Sequence, residues 1–210
     1  SFDYSGESES GFFENEKLQE RFSALWEQMA KRYGHLHDRV VFELLNEVTD
    51  KDFIDEWNRI SYECIRRIRQ HAPDIIILVG SYWNNSAKSL PDLAAPYDDK
   101  VVYNFHCYDP LFFTHQGAYW TNDVEEANIT PEFFEELFAP ALKAAADNHT
   151  GLYCGEYGVI DVANPEDALK WLRCINSVFE KYNIARSIWT YKEMDFGIAD
   201  ARMDGVREEL

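Results

Sequence analysis

The chain has 210 residues, of which 46% are hydrophobic and 15% aromatic, enough apolar material for the core of one globular domain over residues 1–210. Acidic residues outnumber basic residues by 38 to 20, and the formal net charge is −18. This charge argues against nucleic acid or an anionic membrane surface as a partner, because phosphate would be repelled, and it favours a neutral ligand.

Apolar spacing and turn residues predict helices and strands that alternate along the chain. A helix is predicted from about residue 14 to Gly34, a common type of C-terminal cap. The next run, VVFELLN (Val40–Asn46), is too short and too β-branched for a helix, and its apolar density predicts a strand buried on both faces. The later predicted elements are helix 51–71, strand 75–80, a loop over 81–100, strand 101–108, an aromatic loop, helix 131–148, strand 151–156, helix 165–182 and strand 185–191.

This alternation predicts a parallel sheet flanked by helices, either an open doubly wound sheet or a (β/α)8 barrel. No GxGxxG or P-loop motif is present, which disfavours the open sheet. Polar and aromatic side chains follow almost every predicted strand, as they do on the catalytic face of a barrel. Five strands are predicted where a closed barrel has eight, so the expected α/β fold is a partial (β/α)8 TIM barrel whose missing strands would precede Ser1.

The four cysteines form no metal-binding or disulfide pattern, and we expect buried free thiols. No window of about 18 apolar residues is present, so no membrane-spanning helix is predicted. The first residues, SFDYSGESES, lack the basic and apolar regions of a signal peptide. Cytoplasmic and secreted locations both stay open.

Two glutamates follow predicted strands, Glu47 after LLN and Glu156 after LYCG. Carboxylates held at buried strand ends are rigid and partly desolvated, and two of them on separate strands suggest glycoside hydrolysis. A retaining mechanism would require carboxyl groups about 5 to 5.5 Å apart. The alternatives are that Asn46 and Glu47 form the N-cap and first turn of the following helix, and that Glu156 makes a salt bridge or a helix-dipole contact.

Four motifs, FELLNEVTD, YNFHCYDP, LYCGEYGV and SIWTYKEMDFG, resemble in order and spacing the strand-end motifs of glycoside hydrolase family 5, the cellulase-type retaining endoglycosidases. The resemblance extends over nearly the whole chain and implies that its strands are strands 4 to 8 of that fold. It implies that Glu47 is the general acid/base, that Glu156 is the nucleophile, and that Asn46 hydrogen-bonds the sugar 2-hydroxyl. It implies neither a metal nor a cofactor.

The family's His-x-Tyr pair maps onto His106 and Tyr108, at the end of the third predicted strand. The resemblance places the tyrosine hydroxyl near Glu156, where a hydrogen bond would keep the carboxylate ionised and oriented. His106 would line the same sugar subsite; the alternative is a buried, hydrogen-bonded histidine. A metal site is a poor third interpretation, because Tyr108 stands where a second ligand would be expected.

Trp189 matches the family's tryptophan platform for the sugar at the cleavage point, since an indole covers the C–H face of a pyranose. Trp83 and Trp120 lie in predicted loops, as do Phe112 and Phe113. Two interpretations stay open for each of them: a neighbouring sugar subsite, or packing within the loop. Three further tryptophans are predicted to lie on helices and in the core: Trp26, Trp57 and Trp171.

The sequence departs from the family pattern at its start. The family's arginine after strand two and histidine near strand three have no match, so the chain resembles the C-terminal five-eighths of such an enzyme, and weak or conditional activity is expected. VVFELLN and ARSIWTY would lack their expected neighbouring strands. Exposed apolar edges favour association, so the expected partner is a second copy in a homo-oligomer or a complementing N-terminal fragment.

The function expected from these features is a retaining endoglucanase acting on β-1,4-glucan polysaccharide or oligosaccharide. Mannan, glucomannan and xyloglucan are alternative substrates, since the resemblance constrains mechanism better than sugar identity. A truncated barrel that binds or assembles on carbohydrate without turnover is a second hypothesis. A metal-dependent barrel hydrolase is a third.

Overall fold

The computed structural model describes residues 10–121 and 127–210, and in these ranges strands and helices alternate in the predicted order. The lead-in before residue 10 lies outside the described residues. The strands are β1 (Val41–Glu43), β2 (Ile76–Val79), β3 (Val101–Cys107), β4 (Leu152–Tyr157) and β5 (Ala185–Arg186). The helices are α1 (Ser10–Phe13), α2 (Glu16–Tyr33), α3 (Ile54–Arg69), α4 (Tyr82–Asn85), α5 (Leu111–Thr114), α6 (Pro131–Asp147), α7 (Pro165–Tyr182) and α8 (Asp204–Glu209).

The five parallel strands form one sheet in the order β1-β2-β3-β4-β5. The register pairs Val41 with Ile76 and Ile77 with Val101. Each connection leads to the next strand in the order, which is the connectivity of consecutive βα units in a barrel. β1 and β5 stand at the two ends of this order, as expected for VVFELLN and ARSIWTY.

The chain divides into two compact units. Unit 1 comprises Ser1–Phe105 and Pro140–Tyr153, and unit 2 comprises His106–Ala139 and Cys154–Leu210. The single domain expected over residues 1–210 stays a prediction.

Aromatic side chains form much of the core of unit 1. Phe22 of α2 packs edge-on against Trp57 of α3, with ring centroids 6.4 Å apart. Trp57 is fully buried, as predicted, and its indole N–H donates to the Gly80 carbonyl at 2.8 Å. The Trp26 and Phe42 ring centroids lie 5.2 Å apart, but Trp26 is only half-buried. The prediction that Trp26 lies in the core is therefore only partly correct.

Helix α2 ends at Gly34, as predicted, but for a different physical reason. Gly34 has right-handed helical geometry, with φ −58, so its conformational freedom is not what the position requires. A Cβ at Gly34 would lie 2.6 Å from the Cβ of Ala72, just beyond α3. The glycine therefore lets two chain segments approach closely.

Unit 2 has its own aromatic core between α6 and α7. Phe138 stacks on Phe179 with ring centroids 5.7 Å apart, and Phe134 meets Trp171 edge-on at 5.5 Å. Trp171 is fully buried, as predicted, and its N–H donates to the Asp109 carbonyl at 2.8 Å. This polar contact lets the largest side chain of α7 enter the core with its N–H satisfied.

Helix α7 has the predicted bounds because both ends carry strong local signals. The Asn164 side chain accepts from the Glu166 N–H at 2.9 Å, and Pro165 occupies the first helical position. Asn183 ends the helix in the left-handed region, with φ 51. Asparagine tolerates that region better than most residues.

Two predicted strands are wrong in extent. β1 covers three residues where seven were predicted, and Val41 is 49% exposed, so burial on both faces is also wrong. β1 ends the sheet order, and a terminal strand has fewer neighbours to cover its side chains. β5 covers only Ala185–Arg186, because the following residues make isolated backbone bonds instead of a regular ladder.

The cysteines are free thiols in the structure. Three of them are buried and Cys174 is half-buried, so the expectation holds apart from that one residue. Burial raises the pKa of Cys64 to about 12. Among the described residues, every helix is too short or too polar to cross a membrane.

Candidate active site

Asn46 and Glu47 of unit 1 follow β1 on a bend and not on a helix. Asn46 is exposed, whereas Glu47 is half-buried and has a left-handed backbone, with φ 49. Asp50 is the residue that caps the following helical turn, since its side chain accepts from the Asp52 N–H at 2.9 Å. The alternative in which Asn46 and Glu47 cap that helix is therefore wrong.

The Glu47 carboxylate has an amide partner that the sequence did not reveal. The Asn84 side-chain N–H donates to Glu47 Oε2 at 3.3 Å. Two backbone bonds join the same segments, from the Trp83 N–H to the Thr49 carbonyl at 3.3 Å and from the Asn84 N–H to the Val48 carbonyl at 2.9 Å. The one available signal was the Asn-Asn pair in SYWNNS, because asparagine is enriched in left-handed turns.

Trp83 presents its indole to solvent beside this contact. Its side chain is 53% exposed, and the Lys51 ammonium lies 5.9 Å from the ring centroid. Lys51 also lies 5.5 Å from the Tyr82 ring. An exposed indole flanked by a cation is suited to contact a sugar ring as well as to pack locally.

Unit 2 brings two predicted site residues, Tyr108 and His106, to the Glu156 carboxylate. The Tyr108 hydroxyl donates to Glu156 Oε2 at 2.9 Å. His106 is buried, and its Nδ1 lies 3.6 Å from the same oxygen. Glu156 is the penultimate residue of β4 and is half-buried. The Tyr108 hydroxyl therefore donates to a carboxylate that the strand holds rigidly and that is partly desolvated.

The Tyr108 ring is fixed by aromatic neighbours. Phe196 and His115 both meet it edge-on, with ring centroids 5.7 and 5.6 Å away. Burial lowers the pKa of His115, which favours the neutral ring in this apolar setting. Trp120, a predicted subsite residue, lies 5.3 Å from His115 and remains largely exposed.

Trp189 follows β5 and is 36% exposed. Its backbone N–H donates to the Tyr157 carbonyl at 2.9 Å, and a Cβ at Gly158 would lie 2.3 Å from the Trp189 carbonyl oxygen. The glycine therefore permits the close approach that positions this tryptophan. Of the two phenylalanines considered with the subsites, Phe112 is exposed but Phe113 is buried, so Phe113 packs in the core.

His106 brings an imidazole and Tyr108 brings a phenol to the Glu156 carboxylate. A carboxylate supported by a phenol is the arrangement required of an oriented nucleophile or base.

The chain is similar to known proteins in both sequence and fold. The family model described as "Cellulase (glycosyl hydrolase family 5)" matches residues 7–195. Cellodextrinase A of Ruminococcus flavefaciens is 58% identical over 194 residues, which cover 89% of this chain but only 57% of that protein. Endoglucanase C of Acetivibrio thermocellus is 33% identical over 233 residues, covering 96% of this chain and 68% of the relative.

Solved structures show the same fold. Cel5A of Thermotoga maritima, solved with cellobiose, superposes with a TM-score of 0.81 at 25% identity, covering 95% of this chain and 70% of that one. The predicted partial (β/α)8 barrel, with five parallel strands and flanking helices, is confirmed.

Proposed function

The chain belongs to glycosyl hydrolase family 5, and we propose that it is a retaining endohydrolase of β-1,4-linked glucan. The observation that carries the proposal is the hydrogen bond from the Tyr108 hydroxyl to Glu156. A charge-assisted bond of this kind stabilises a carboxylate and aims one of its lone pairs. This is the preparation that a glycosidase nucleophile requires.

The first step of the proposed reaction forms a glycosyl-enzyme. A Glu156 oxygen attacks the anomeric carbon while Glu47 donates its proton to the departing glycosidic oxygen. Asn46 hydrogen-bonds the 2-hydroxyl, and this bond strengthens as oxocarbenium character develops at the anomeric carbon. Trp189 supports the sugar at the cleavage point.

The second step releases the sugar with its original anomeric configuration. Glu47, now a carboxylate, removes a proton from water, and the water oxygen attacks the anomeric carbon as the bond to Glu156 breaks. Both carboxyl groups then return to their starting protonation states. No cofactor is required for either step.

The proposed substrates are cello-oligosaccharides and soluble β-1,4-glucan. The relatives named above are a cellodextrinase and an endoglucanase. The net charge of −18 suits a neutral polysaccharide better than an anionic one. Exposed indoles at Trp83, Trp120 and Trp189 offer apolar faces for sugar rings.

Hydrolysis of cellotetraose followed by proton NMR tests the proposal. We expect the β-anomer of the new reducing end to appear first, and EDTA to leave the rate unchanged. Glu47→Ala should lower kcat by about 100- to 10,000-fold, and Glu156→Ala should abolish turnover. Full activity of Glu156→Ala, or initial release of the α-anomer, would contradict the assigned roles.

The same assay separates the alternatives. Faster cleavage of mannotetraose or xyloglucan than of cellotetraose would replace the substrate assignment but keep the mechanism. Retention of the protein on cellulose without release of reducing sugar would favour the carbohydrate-binding hypothesis. Loss of activity with EDTA would favour the metal-dependent hydrolase.

A further inference from the structure

The short left-handed turn α4 has a backbone that requires outside support. Trp83, Asn84 and Asn85 have φ values of 52, 57 and 57. Left-handed geometry is uncommon for residues other than glycine, although asparagine adopts it more readily than most. Three consecutive residues of this kind persist only where the surrounding structure holds them, and such strain is concentrated at functional sites.

Buried contacts hold the two ends of this turn in place. Asn85 is fully buried, and it packs where Gly80 has no side chain, since a Cβ at Gly80 would lie 2.2 Å from Asn85 Oδ1. The Ser89 hydroxyl donates to the Tyr82 carbonyl at 2.8 Å, and the Tyr82 hydroxyl donates to Asp92. The turn is therefore fixed at both of its ends.

Backbone hydrogen bonds connect the turn to the segment that carries Glu47. The backbone bonds from Trp83 to Thr49 and from Asn84 to Val48 join the two segments directly. Glu47 is itself left-handed, with φ 49. Two strained backbones are thus locked together, and the Asn84 amide reaches the Glu47 carboxylate as a result.

Resting on the function proposed above, we propose that Asn84 is a positioning residue for Glu47. Its amide N–H holds Glu47 Oε2, so the proton that Glu47 transfers is carried on Oε1. The amide nitrogen donates to Oε2 in the structure, which leaves Oε1 as the oxygen that carries the proton. Asn84 thereby selects the oxygen that donates and the orientation of the carboxyl plane.

This assignment has a consequence for the reaction. In the first step the Oε1–H bond breaks, the proton passes to the glycosidic oxygen, and the electron pair of the broken C–O bond stays on that oxygen. A poor leaving group needs this proton, whereas a 2,4-dinitrophenolate leaves without it. The effect of Asn84 should therefore depend on the leaving group.

Asn84→Gly is the most direct variant, because glycine keeps the left-handed backbone and removes only the amide. We expect kcat/KM for cellotetraose to fall by about 2- to 10-fold, the effect of one hydrogen bond. The value for 2,4-dinitrophenyl β-cellobioside should stay unchanged. Asn183→Gly is the matched control, since Asn183 is a left-handed asparagine at the end of α7, and it should leave both values unchanged.

Asn84→Asp gives a readout that does not depend on turnover. Aspartate also tolerates the left-handed region, but it replaces the donor by a negative charge beside Glu47. The titration midpoint of the Glu47 carboxyl carbon, followed by carbon-13 NMR, should move to higher pH. The basic limb of the pH profile of kcat/KM should move in the same direction.

Glu47→Ala separates failure of this inference from failure of the proposed function. If Glu47→Ala lowers kcat/KM equally for both substrates, Glu47 is not the general acid of the first step and the proposed function fails. If Glu47→Ala lowers kcat/KM much more for cellotetraose, while Asn84→Gly lowers it for neither substrate or for both equally, the role of Asn84 alone is wrong. An unchanged Glu47 midpoint in Asn84→Asp would also overturn it.

Discussion

At the scale of single residues, the Glu156 carboxylate accepts a hydrogen bond from Tyr108, and the Glu47 carboxylate accepts one from Asn84. The contact between Tyr108 and Glu156 follows from the motif resemblance, because both residues occupy strand-end positions that the sequence makes recognisable. The contact between Asn84 and Glu47 does not, because it depends on backbone geometry. Side-chain periodicity carries no information about three consecutive left-handed residues.

Tyr108→Phe tests the support of the nucleophile. Removing a hydrogen bond to a charged group costs about 1.5 to 3 kcal/mol, so kcat for cellotetraose should fall by about 10- to 100-fold with little change in KM. Tyr119→Phe makes the same chemical change at a fully exposed side chain and should have no effect. An unchanged kcat in Tyr108→Phe would mean that the hydroxyl does not act on Glu156.

At the scale of elements, prediction succeeded where local signals mark both ends. Helix α7 carries an Asn-Pro start and an asparagine stop, and its bounds were predicted correctly. β5 was predicted too long because SIWTY is apolar, yet Ser187 and Trp189 make only isolated backbone bonds to the Cys154 and Tyr157 carbonyls. Regular pairing depends on the neighbouring chain, which the pattern of one segment cannot show.

Gly34→Ala tests the close approach between the ends of α2 and α3. The added methyl group would meet the Ala72 Cβ, and we expect the free energy of unfolding to fall by about 1 to 3 kcal/mol. Ala72→Gly in the same chain should recover part of the loss by removing the opposing methyl group. If urea unfolding shows Gly34→Ala to be as stable as the unsubstituted protein, the segments have room that the structure does not show.

An ion pair links the end of α3 to the segment that precedes β3. Arg69 donates to both carboxylate oxygens of Asp98, at 2.5 and 2.9 Å, and to the Ala72 and Ile75 carbonyls. Burial raises the pKa of Asp98, but hydrogen bonds from Arg69 and from the Lys100 N–H outweigh that effect, so the pKa lies below its usual 3.8. A lowered folded-state pKa contributes stability above about pH 3.8 that is lost as the pH falls through the folded value.

Asp98→Asn should therefore destabilise the protein in a pH-dependent way. We expect a loss of about 1 to 2 kcal/mol in the free energy of unfolding near pH 7, and a loss that shrinks as the pH falls from about 3.8 to the lower pKa of the folded carboxylate. Asp99→Asn removes the same charge at the neighbouring exposed position and should show little effect. A loss that stays constant down to low pH would exclude the ion pair as its cause.

At the scale of the whole molecule, the terminal strands of the sheet order bear on association. β1 ends that order, and Val41 on it is exposed. Apolar residues on a terminal strand favour pairing with another chain, and a lysine there opposes it. We therefore propose that copies of the chain associate through β1.

Sedimentation velocity at low concentration tests this association. We expect a species heavier than the 24.6 kDa chain, and Val41→Lys should shift the protein toward that monomer mass. Tyr119→Lys adds the same charge at another exposed site and should leave the sedimentation coefficient unchanged. A well-folded monomer of the unsubstituted chain would contradict association through β1.

In the proposed mechanism, Glu156 forms a covalent bond with the sugar. In 2,4-dinitrophenyl 2-deoxy-2-fluoro-β-cellobioside, the fluorine slows both steps, whereas the good leaving group speeds only the first. The glycosyl-enzyme should therefore accumulate. Intact-mass and peptide mass spectrometry should show one added fluorocellobiosyl group, located on Glu156, and none in Glu156→Ala. Absence of an adduct in the unsubstituted protein, or a label on any other residue, would contradict the proposed mechanism.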